Sequence, residues 1–325
     1  MSTINLPDTA EKWTSAVNTV TLGATAQEGG TRTSTVSIGG ARALPFQSYD
    51  GPLGCRAAVA IEIWDGATGD WPEQLTRIYG DAMASPANWA RRAAEFGADM
   101  ICLRLMSAHP DLGDRSAEHC AQTVREVLQA VGLPLIIWGC GIDAKDSQIL
   151  PAVSAAARGE NCLLGTARQS NYRTIVAVCH ADGHKLLAES PLDINIAKQV
   201  NILCQDAGFS LDDIVMFPTT GALGYGIEYV YSIQERARLA GLSGDKLLAQ
   251  PVLCDVGMEA WRAKEAKTPP RAASDEARDQ GGAMWEAATA AVLLQAGSEL
   301  LVMRHPKAVA SITRTMERLS QTPAP

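Results

Sequence analysis

Residues 213–226, DIVMFPTTGALGYG, decide the fold because one short segment holds a strand, a turn and the start of a helix. The apolar run 214–217 is typical of a strand buried on both faces, as parallel strands are, and Pro218 ends it. Apolar residues then recur every three or four positions over residues 227–240, which predicts an amphipathic helix. Gly241 is placed to end that helix as a capping glycine. The segment is therefore predicted to be one strand–turn–helix unit of an α/β fold.

The turn of this unit is rich in glycine and is predicted to bind a ligand. Glycines let a ligand approach the backbone closely, and the N-terminus of the following helix offers unpaired N–H groups and positive potential. The alternative is a tight junction that serves packing alone. Gly221, Gly224 and Gly226 do not have the spacing of the dinucleotide fingerprint, so the sequence does not indicate an NAD site.

From residue 57 onward the chain repeats the strand–helix pattern about eight times. The predicted strands cover residues 59–64, 100–106, 135–138, 162–165, 186–188, 214–217, 248–253 and 300–303. The predicted helices cover residues 86–96, 117–131, 147–157, 172–180, 194–207, 227–240, 284–296 and 306–319. Eight units predict a (β/α)8 TIM barrel over residues 57–325, and a doubly wound open sheet is the alternative. One long polar loop is predicted over residues 268–282.

Residues 1–56 have a different pattern. Residues 17–22 and 33–38 alternate and are β-branched, with Glu28-Gly29-Gly30 between them, which predicts an N-terminal β-hairpin extension. An irregular connector follows over residues 41–54. We therefore divide the chain into an extension over 1–56 and a barrel over 57–325.

The overall charge and the apolar runs exclude several kinds of partner. A net charge of -8 and a pI near 5.2 argue against nucleic-acid binding. No apolar stretch is long enough to span a membrane and the first nine residues are polar, so we expect a cytoplasmic protein without membrane contact. The 8 cysteines occur singly, without C-x-x-C spacing, so we expect buried reduced thiols and no iron–sulfur or zinc site in this chain.

The residues that follow the predicted strands favour binding over catalysis. They include no lysine for a Schiff base and no set of histidines and carboxylates suited to a metal, so no catalytic or metal residue is predicted. Asp193 is predicted to cap the next helix, with Asn195 free to contact a ligand. Arg304 and His305 end the last strand. The charged segment 259–266 is predicted to be a solvated helix or a partner surface anchored by Trp261.

Several segments together resemble one known family, the small subunit of the corrinoid iron–sulfur protein of the reductive acetyl-CoA pathway, which is the delta-type subunit of acetyl-CoA decarbonylase/synthase. The resemblance runs nearly end to end. It is carried by Leu22-Gly23-Ala24-Thr25, Gly29-Gly30-Thr31-Arg32, Ala43-Leu44-Pro45-Phe46, Gly139-Cys140-Gly141, 190–196 (SPLDINI), 224–229 (GYGIEY), Gly257, 259–266 and Met303-Arg304-His305-Pro306.

This resemblance implies a barrel subunit paired with a larger subunit that carries an iron–sulfur cluster and the main corrinoid-binding domain. The corrinoid (cobalamin) would be shared between that domain and the C-terminal face of the barrel. The complex would accept a methyl group from methyltetrahydrofolate through a methyltransferase and deliver it to acetyl-CoA synthase. The residues expected at the corrinoid are Thr220, Gly221, Ala222, Leu223, Gly224, Tyr225, Gly226, Asn195 and Arg304.

Two other functions stay open at this point. The chain could be a barrel methyltransferase that itself binds a methyl-pterin, since pterin methyltransferases share this architecture. It could also be a structural barrel of some other assembly. Few carboxylates are expected at the strand ends, which favours the non-catalytic methyl-carrier subunit.

Overall fold

The computed structural model describes residues 9–69, 71–268 and 274–320. The strands in these residues are β1 Thr19–Leu22, β2 Val36–Gly39, β3 Ala58–Trp64, β4 Met100–Arg104, β5 Leu135–Trp138, β6 Leu163–Ala167, β7 Lys185–Glu189, β8 Ile214–Phe217, β9 Leu253–Asp255 and β10 Leu300–Met303. The α-helices are α1 Glu73–Tyr79, α2 Pro86–Glu95, α3 Ala117–Ala130, α4 Asp143–Ala156, α5 Tyr172–Asp182, α6 Ile194–Asp206, α7 Ile227–Leu242, α8 Val256–Arg262, α9 Lys264–Lys267, α10 Asp275–Ala296 and α11 Pro306–Ser320. None of the helices within these ranges is both long enough and apolar enough to cross a bilayer.

Strands β3 to β10 form one parallel sheet in the order β8-β7-β6-β5-β4-β3-β10-β9. The two ends of this order meet where Met216 of β8 forms a parallel bridge with Val252, just before β9. The N–H of Met216 also donates to the C=O of Pro251 at 2.8 Å. The sheet is therefore a nearly closed eight-stranded barrel with helices around it. The predicted (β/α)8 barrel is confirmed, and the open-sheet alternative is wrong.

The interior of the barrel is filled by side chains from alternate strand positions. Below the C-terminal end, these are the buried apolar residues Ala58, Ala60, Met100, Cys102, Ile136, Leu163, Leu187, Val215, Leu253, Leu300 and Val302. The intervening positions, such as Ile61, Ile63 and Leu103, pack in the cluster that the helices share. Strands with apolar residues on both faces read as continuous apolar runs, which is why the sequence located most of them.

The hairpin formed by β1 and β2 closes the N-terminal end of the barrel. Its strands pair antiparallel, and Val20, Leu22 and Ile38 belong to the same buried cluster as the barrel interior. Outside the strands, the N–H of Gly23 donates to the C=O of Asn161 at 2.9 Å, in a loop that leads into a barrel strand. The predicted N-terminal hairpin is confirmed, although its strands are shorter than expected. A domain boundary between residues 56 and 57 stays a prediction.

The structure corrects the expected strand over residues 248–253. Residues Lys246–Leu248 form a single 3-10 turn instead, and β9 begins only at Leu253. Pro251 accounts for the delay because proline has no N–H to give to a strand ladder. Its C=O still serves the sheet by accepting the N–H of Met216.

Two expectations about helix ends are also wrong. Helix α10 begins at Asp275 and not at residue 284, because the hydroxyl of Ser274 caps it by accepting the N–H of Ala277 at 3.2 Å. The predicted loop 268–282 is thus partly helical, and residues 269–273 lie outside the described residues.

Gly241 does not end α7, which continues to Leu242. A Cβ at Gly241 would lie 3.0 Å from the backbone of Leu248, so this glycine serves close packing.

Candidate functional site at the C-terminal end of the barrel

The loops that follow β3 to β10 open at one end of the barrel, because parallel strands share a direction. The last layer of inward-facing side chains beneath these loops is polar and aromatic where the rest of the interior is apolar. We call it the upper layer, and it consists of Glu62, Arg104, Trp138, Phe217, Asp255 and Arg304. Each of the six is at most 6% exposed to solvent.

The four charged side chains of the upper layer pair with one another. Nε of Arg104 lies 2.6 Å from Oε1 of Glu62, and its Nη2 donates to Oδ2 of Asp255 at 2.5 Å. Arg304 donates to Glu62 from the other side, with Nε 2.8 Å from Oε2 and Nη2 3.1 Å from Oε1. Two guanidinium groups thus face two carboxylates, and the layer is electrically balanced. Such a group is stable in the interior only while every member is present.

The pairing shifts the ionisation of these groups. At Glu62 burial favours the neutral acid, but the guanidinium groups of Arg304 and Arg104 outweigh it and lower the pKa to about 2. At Asp255 burial outweighs the attraction of Arg104 and raises the pKa. Burial alone would lower the pKa of Arg104, but the negative charges of Asp255 and Glu62 have the larger effect and raise it. Glu62 is therefore a fixed anion at neutral pH and not a group that exchanges protons.

Aromatic rings fill the space that the ion pairs leave. The guanidinium carbon of Arg104 lies 4.0 Å from the centre of the Trp138 ring, and Trp138 meets Phe217 edge to face at 4.9 Å between centres. On the other side, Arg304 lies 4.4 Å from the ring of Trp71. These contacts combine cation–π attraction with close packing. The barrel mouth is therefore closed by its own side chains.

Glu286 of α10 supports the end of the last strand from outside. Its Oε1 accepts the N–H of Arg304 at 2.6 Å, and its Oε2 accepts the N–H of His305 at 3.0 Å and the Nε1–H of Trp261 at 2.7 Å. Burial raises the pKa of Glu286 to about 7, although the hydrogen bonds from these three donors act to lower it. Trp261 is 1% exposed and stacks on the ring of His305. It is a core residue, so the hypothesis that it anchors a partner surface is wrong.

The first half of the predicted binding turn is buried. Thr220, Gly221 and Ala222 are all buried, and the hydroxyl of Thr220 accepts the N–H of Asp255 at 2.8 Å. A Cβ at Gly221 would approach the backbone of Gly226 to 2.8 Å. This half of the turn therefore fixes the loop to the upper layer, as the packing interpretation expects.

The second half of the same turn faces outward. Leu223 is half-buried, Gly224 and Tyr225 are exposed, and the hydroxyl of Tyr225 donates to Glu265 at 2.9 Å. Gly224 and Gly226 have φ angles of +72° and +89°, which L side chains rarely adopt. A Cβ at Gly224 would meet no atom within 4 Å, so packing does not explain that glycine. The outer half leaves open backbone where a flat ligand could lie.

The other two predicted contacts are placed differently. Asn195 is exposed in the first turn of α6, and its N–H donates to Oδ1 of Asp193 at 2.7 Å, which confirms Asp193 as the helix cap. Its loop touches the glycine-rich turn, because the hydroxyl of Thr219 donates to the C=O of Ser190 at 2.6 Å. Arg304, in contrast, lies in the upper layer and not at the surface. Asn195 is thus exposed, beside a groove that Lys198, Arg236 and Leu239 also line, whereas Arg304 is buried.

Sequence reasoning missed most of the charged upper layer and described the strand ends as poor in carboxylates. The available signal was a charge inside an apolar strand: Glu62 lies between Ile61 and Ile63, and Arg104 follows Leu103. A buried charge requires a partner, so opposite charges near the ends of neighbouring strands predict an ion pair. Glu286 gave no such signal, because a charge on a long helix is usually solvated.

No metal cluster accompanies this layer. Across the described ranges, three or more His, Cys, Asp or Glu side chains nowhere converge as a metal site would require. All eight cysteines are free, and seven of them are buried. Burial raises the pKa of Cys254 to about 11 and of Cys204 to about 12, so these two thiols are protonated at neutral pH.

Comparison with known proteins gives one family by sequence. The family model described as "CO dehydrogenase/acetyl-CoA synthase delta subunit" matches residues 19–315. Acetyl-CoA decarbonylase/synthase complex subunit delta 1 of Methanosarcina thermophila is 36% identical over 315 residues, covering 95% of this chain and 72% of the relative. The delta subunit of Archaeoglobus fulgidus is 35% identical over 316 residues, covering 95% of this chain and 70% of the relative.

Comparison of structures gives the fold. A dihydropteroate synthase from Stenotrophomonas maltophilia superposes with a TM-score of 0.57 at 13% identity, covering 83% of this chain and 95% of that one. A dihydropteroate synthase from Coxiella burnetii, in complex with pteroic acid, also has a TM-score of 0.57, at 11% identity, covering 94% of this chain and 100% of that one. At these identities the similarity concerns the barrel alone.

Proposed function

The chain belongs to the family of CO dehydrogenase/acetyl-CoA synthase delta subunits, and we propose that it is the small subunit of a heterodimeric corrinoid/iron–sulfur methyl carrier. In this proposal a larger subunit carries the iron–sulfur cluster and the main corrinoid-binding domain. The barrel covers the corrinoid (cobalamin) with its C-terminal face. The complex takes a methyl group from methyltetrahydrofolate through a separate methyltransferase and delivers it to acetyl-CoA synthase, in the cytoplasm.

The observation that carries this proposal is the closed upper layer. Its charged groups form ion pairs with one another, and its rings pack at the barrel mouth. A closed barrel mouth suits a large ligand that is held from its other side by a partner. It does not suit a small substrate that must enter the barrel.

Within this proposal the outer half of the glycine-rich turn and Asn195 lie against the corrin ring. Thr220, Gly221 and Ala222 hold that loop from beneath, because they are buried against the upper layer. Arg304 is only 4% exposed and is paired to Glu62, so we assign it to the support of the face instead of direct contact. Backbone N–H groups and the missing side chain of Gly224 would meet the ring and its amides.

The same observation opposes the alternative, a methyltransferase that binds a methyl-pterin in this barrel. A pterin bound at the centre of the barrel mouth would need an open cavity there, lined by free donors and acceptors. Arg104, Trp138 and Phe217 occupy that space and are 3–6% exposed. No catalytic residue is therefore assigned to this chain.

Co-expression with the large subunit tests the proposal. We expect a stable heterodimer that buries on the order of 2,000 Å2 at its interface and shows the visible absorbance of a bound corrinoid. The chain purified alone should bind no methyltetrahydrofolate and transfer no methyl group. A lone chain that binds methyltetrahydrofolate would favour the methyl-pterin alternative, and a chain that ignores the large subunit would refute the proposal.

A further inference from the structure

A cleft of about 440 Å3 opens beside the glycine-rich turn, between the loops that follow β6, β7 and β8. Its walls include Arg168, Glu189, Ser190, Pro191, Ile196 and Thr219. It lies between the two segments that the proposed function places at the corrinoid, the loop before α6 and the turn before α7.

The cleft contains a buried polar group without a partner. Ser190 is 2% exposed, and its hydroxyl has no hydrogen-bond partner within the described ranges. A buried hydroxyl that stays unpaired is costly, so a native structure normally supplies a partner from protein, water or ligand. The neighbouring Thr219 has a φ of +60°, which is uncommon for a residue other than glycine. Its hydroxyl fixes the C=O of Ser190 at 2.6 Å.

The charges around the cleft decide what kind of ligand fits. Arg168 donates to Oδ1 of Asp143 at 2.5 Å and to Oε1 of Glu189 at 2.8 Å. One guanidinium therefore faces two carboxylates, which leaves a net charge of -1. Oε2 of Glu189 lies 2.8 Å from Nη2 of Arg168 but has no hydrogen bond of its own in the described residues. The cleft thus repels an anion and offers an acceptor at Glu189 and a hydroxyl at Ser190.

We propose that this cleft binds a short methylene chain ending in a neutral primary amide, and that the amide is a peripheral side chain of the corrinoid. The amide NH2 donates to the carboxylate of Glu189, and the amide carbonyl accepts from the hydroxyl of Ser190. The methylene groups pack on Pro191 and Ile196. This inference rests on the proposed function. It adds that Glu189 makes the cleft select an amide side chain over the corresponding carboxylic acid.

The test uses the heterodimer with the large subunit and two kinds of probe. One probe is hydroxocobalamin, and the others are its mono-acids, in which one propionamide at a time has been hydrolysed to a carboxylate. Affinities are measured by equilibrium dialysis and visible absorbance. We expect one mono-acid to bind roughly tenfold more weakly than hydroxocobalamin, since its carboxylate meets Glu189. Glu189→Gln should remove most of that discrimination.

Ser190→Ala provides the second measurement. Removing a hydroxyl that has no partner in the protein should leave the thermal midpoint unchanged or slightly higher, while hydroxocobalamin binds roughly five- to tenfold more weakly. Ser232→Ala, at an exposed serine of α7, is the matched control and should change neither quantity.

The outcomes separate the two levels of the proposal. Equal binding of all mono-acids, or full affinity in Ser190→Ala, overturns the amide cleft while the corrinoid function stands. A wild-type heterodimer that binds no corrinoid at all overturns the proposed function, and the amide cleft with it.

Discussion

At its N-terminal end the barrel is closed by the apolar side chains of the hairpin, whereas at its C-terminal end it is closed by the ion pairs and rings of the upper layer. Apolar burial stabilises in proportion to area and tolerates small changes of geometry. A buried set of charges is stable only when it is complete, and it then fixes one arrangement of the groups around it. We infer that the N-terminal end of the barrel mainly stabilises the fold, whereas the C-terminal end holds the residues around the barrel mouth in one arrangement.

The N-terminal end also contains buried ion pairs, Arg32 with Glu160 and Arg238 with Glu299, and the role of the first differs from that of the upper layer. Nε of Arg32 donates to Glu160 at 2.8 Å, while its Nη2 donates to the C=O of Leu128 at 2.8 Å. Arg32 thereby ties the hairpin to the ends of α3 and α4. This ion pair joins the hairpin to the barrel, whereas the upper layer connects the ends of barrel strands to one another.

The largest expected effect comes from breaking the upper layer. Glu62→Gln keeps the shape of the side chain but leaves two guanidinium groups facing the single carboxylate of Asp255. Removing one member of a buried ionic group typically costs about 3–5 kcal/mol, and we expect a loss of that size in the free energy of unfolding. Urea unfolding at pH 7 measures it.

The pH dependence of this loss provides its control. Because the pKa of Glu62 is lowered from 4.5 to about 2, its stabilising contribution is complete above pH 4.5 and is lost as the pH falls toward 2. The difference between wild type and Glu62→Gln should therefore be smaller at pH 3 than at pH 7. Glu73→Gln, at a side chain that is 85% exposed, should stay within about 0.5 kcal/mol of wild type. A difference that does not change with pH would mean that charge is not what Glu62 contributes.

A smaller effect is expected from opening the apolar end. Leu22 is fully buried, so Leu22→Ala should lower the free energy of unfolding by about 2–4 kcal/mol. The loss should be the same at pH 7 and pH 3, since no charge is involved. Thr21→Ala, the neighbouring residue on the other face of β1, breaks a 2.8 Å contact with Ser37 and should cost about 1 kcal/mol. If Thr21→Ala lowered the free energy of unfolding more than Leu22→Ala, the hairpin would not stabilise the barrel through its buried apolar side chains.

Sequence patterns predicted the two ends unequally, for a physical reason. Strand and helix positions follow from local periodicity, so β5 and β10 were located to the residue and the barrel was recognised from the repeat. The hairpin followed from alternation in the same way. The upper layer depends on pairings of Glu62 with Arg104 on the next strand and with Arg304 just after β10, and such pairings have no local sequence pattern. Pro251 and Ser274, in contrast, were local signals that could have corrected β9 and α10.

Among Glu62→Gln, Leu22→Ala and Gly224→Leu, the smallest loss of stability is expected from the last, at the glycine-rich turn, and this variant decides between the binding and packing interpretations. Gly224 has a left-handed backbone and open space around its missing Cβ. Gly224→Leu should therefore cost only the strain of that conformation, about 1–2 kcal/mol, and leave the circular dichroism spectrum native. Gly29 at the opposite end of the barrel is a matched control, because its φ is +88° and it has the same open space. If the outer half of the turn lies against the corrin ring, only Gly224→Leu should lower corrinoid affinity in the heterodimer, by roughly ten- to hundredfold. Full affinity in Gly224→Leu would move the binding role to another loop, and a collapsed dichroism spectrum would support packing alone.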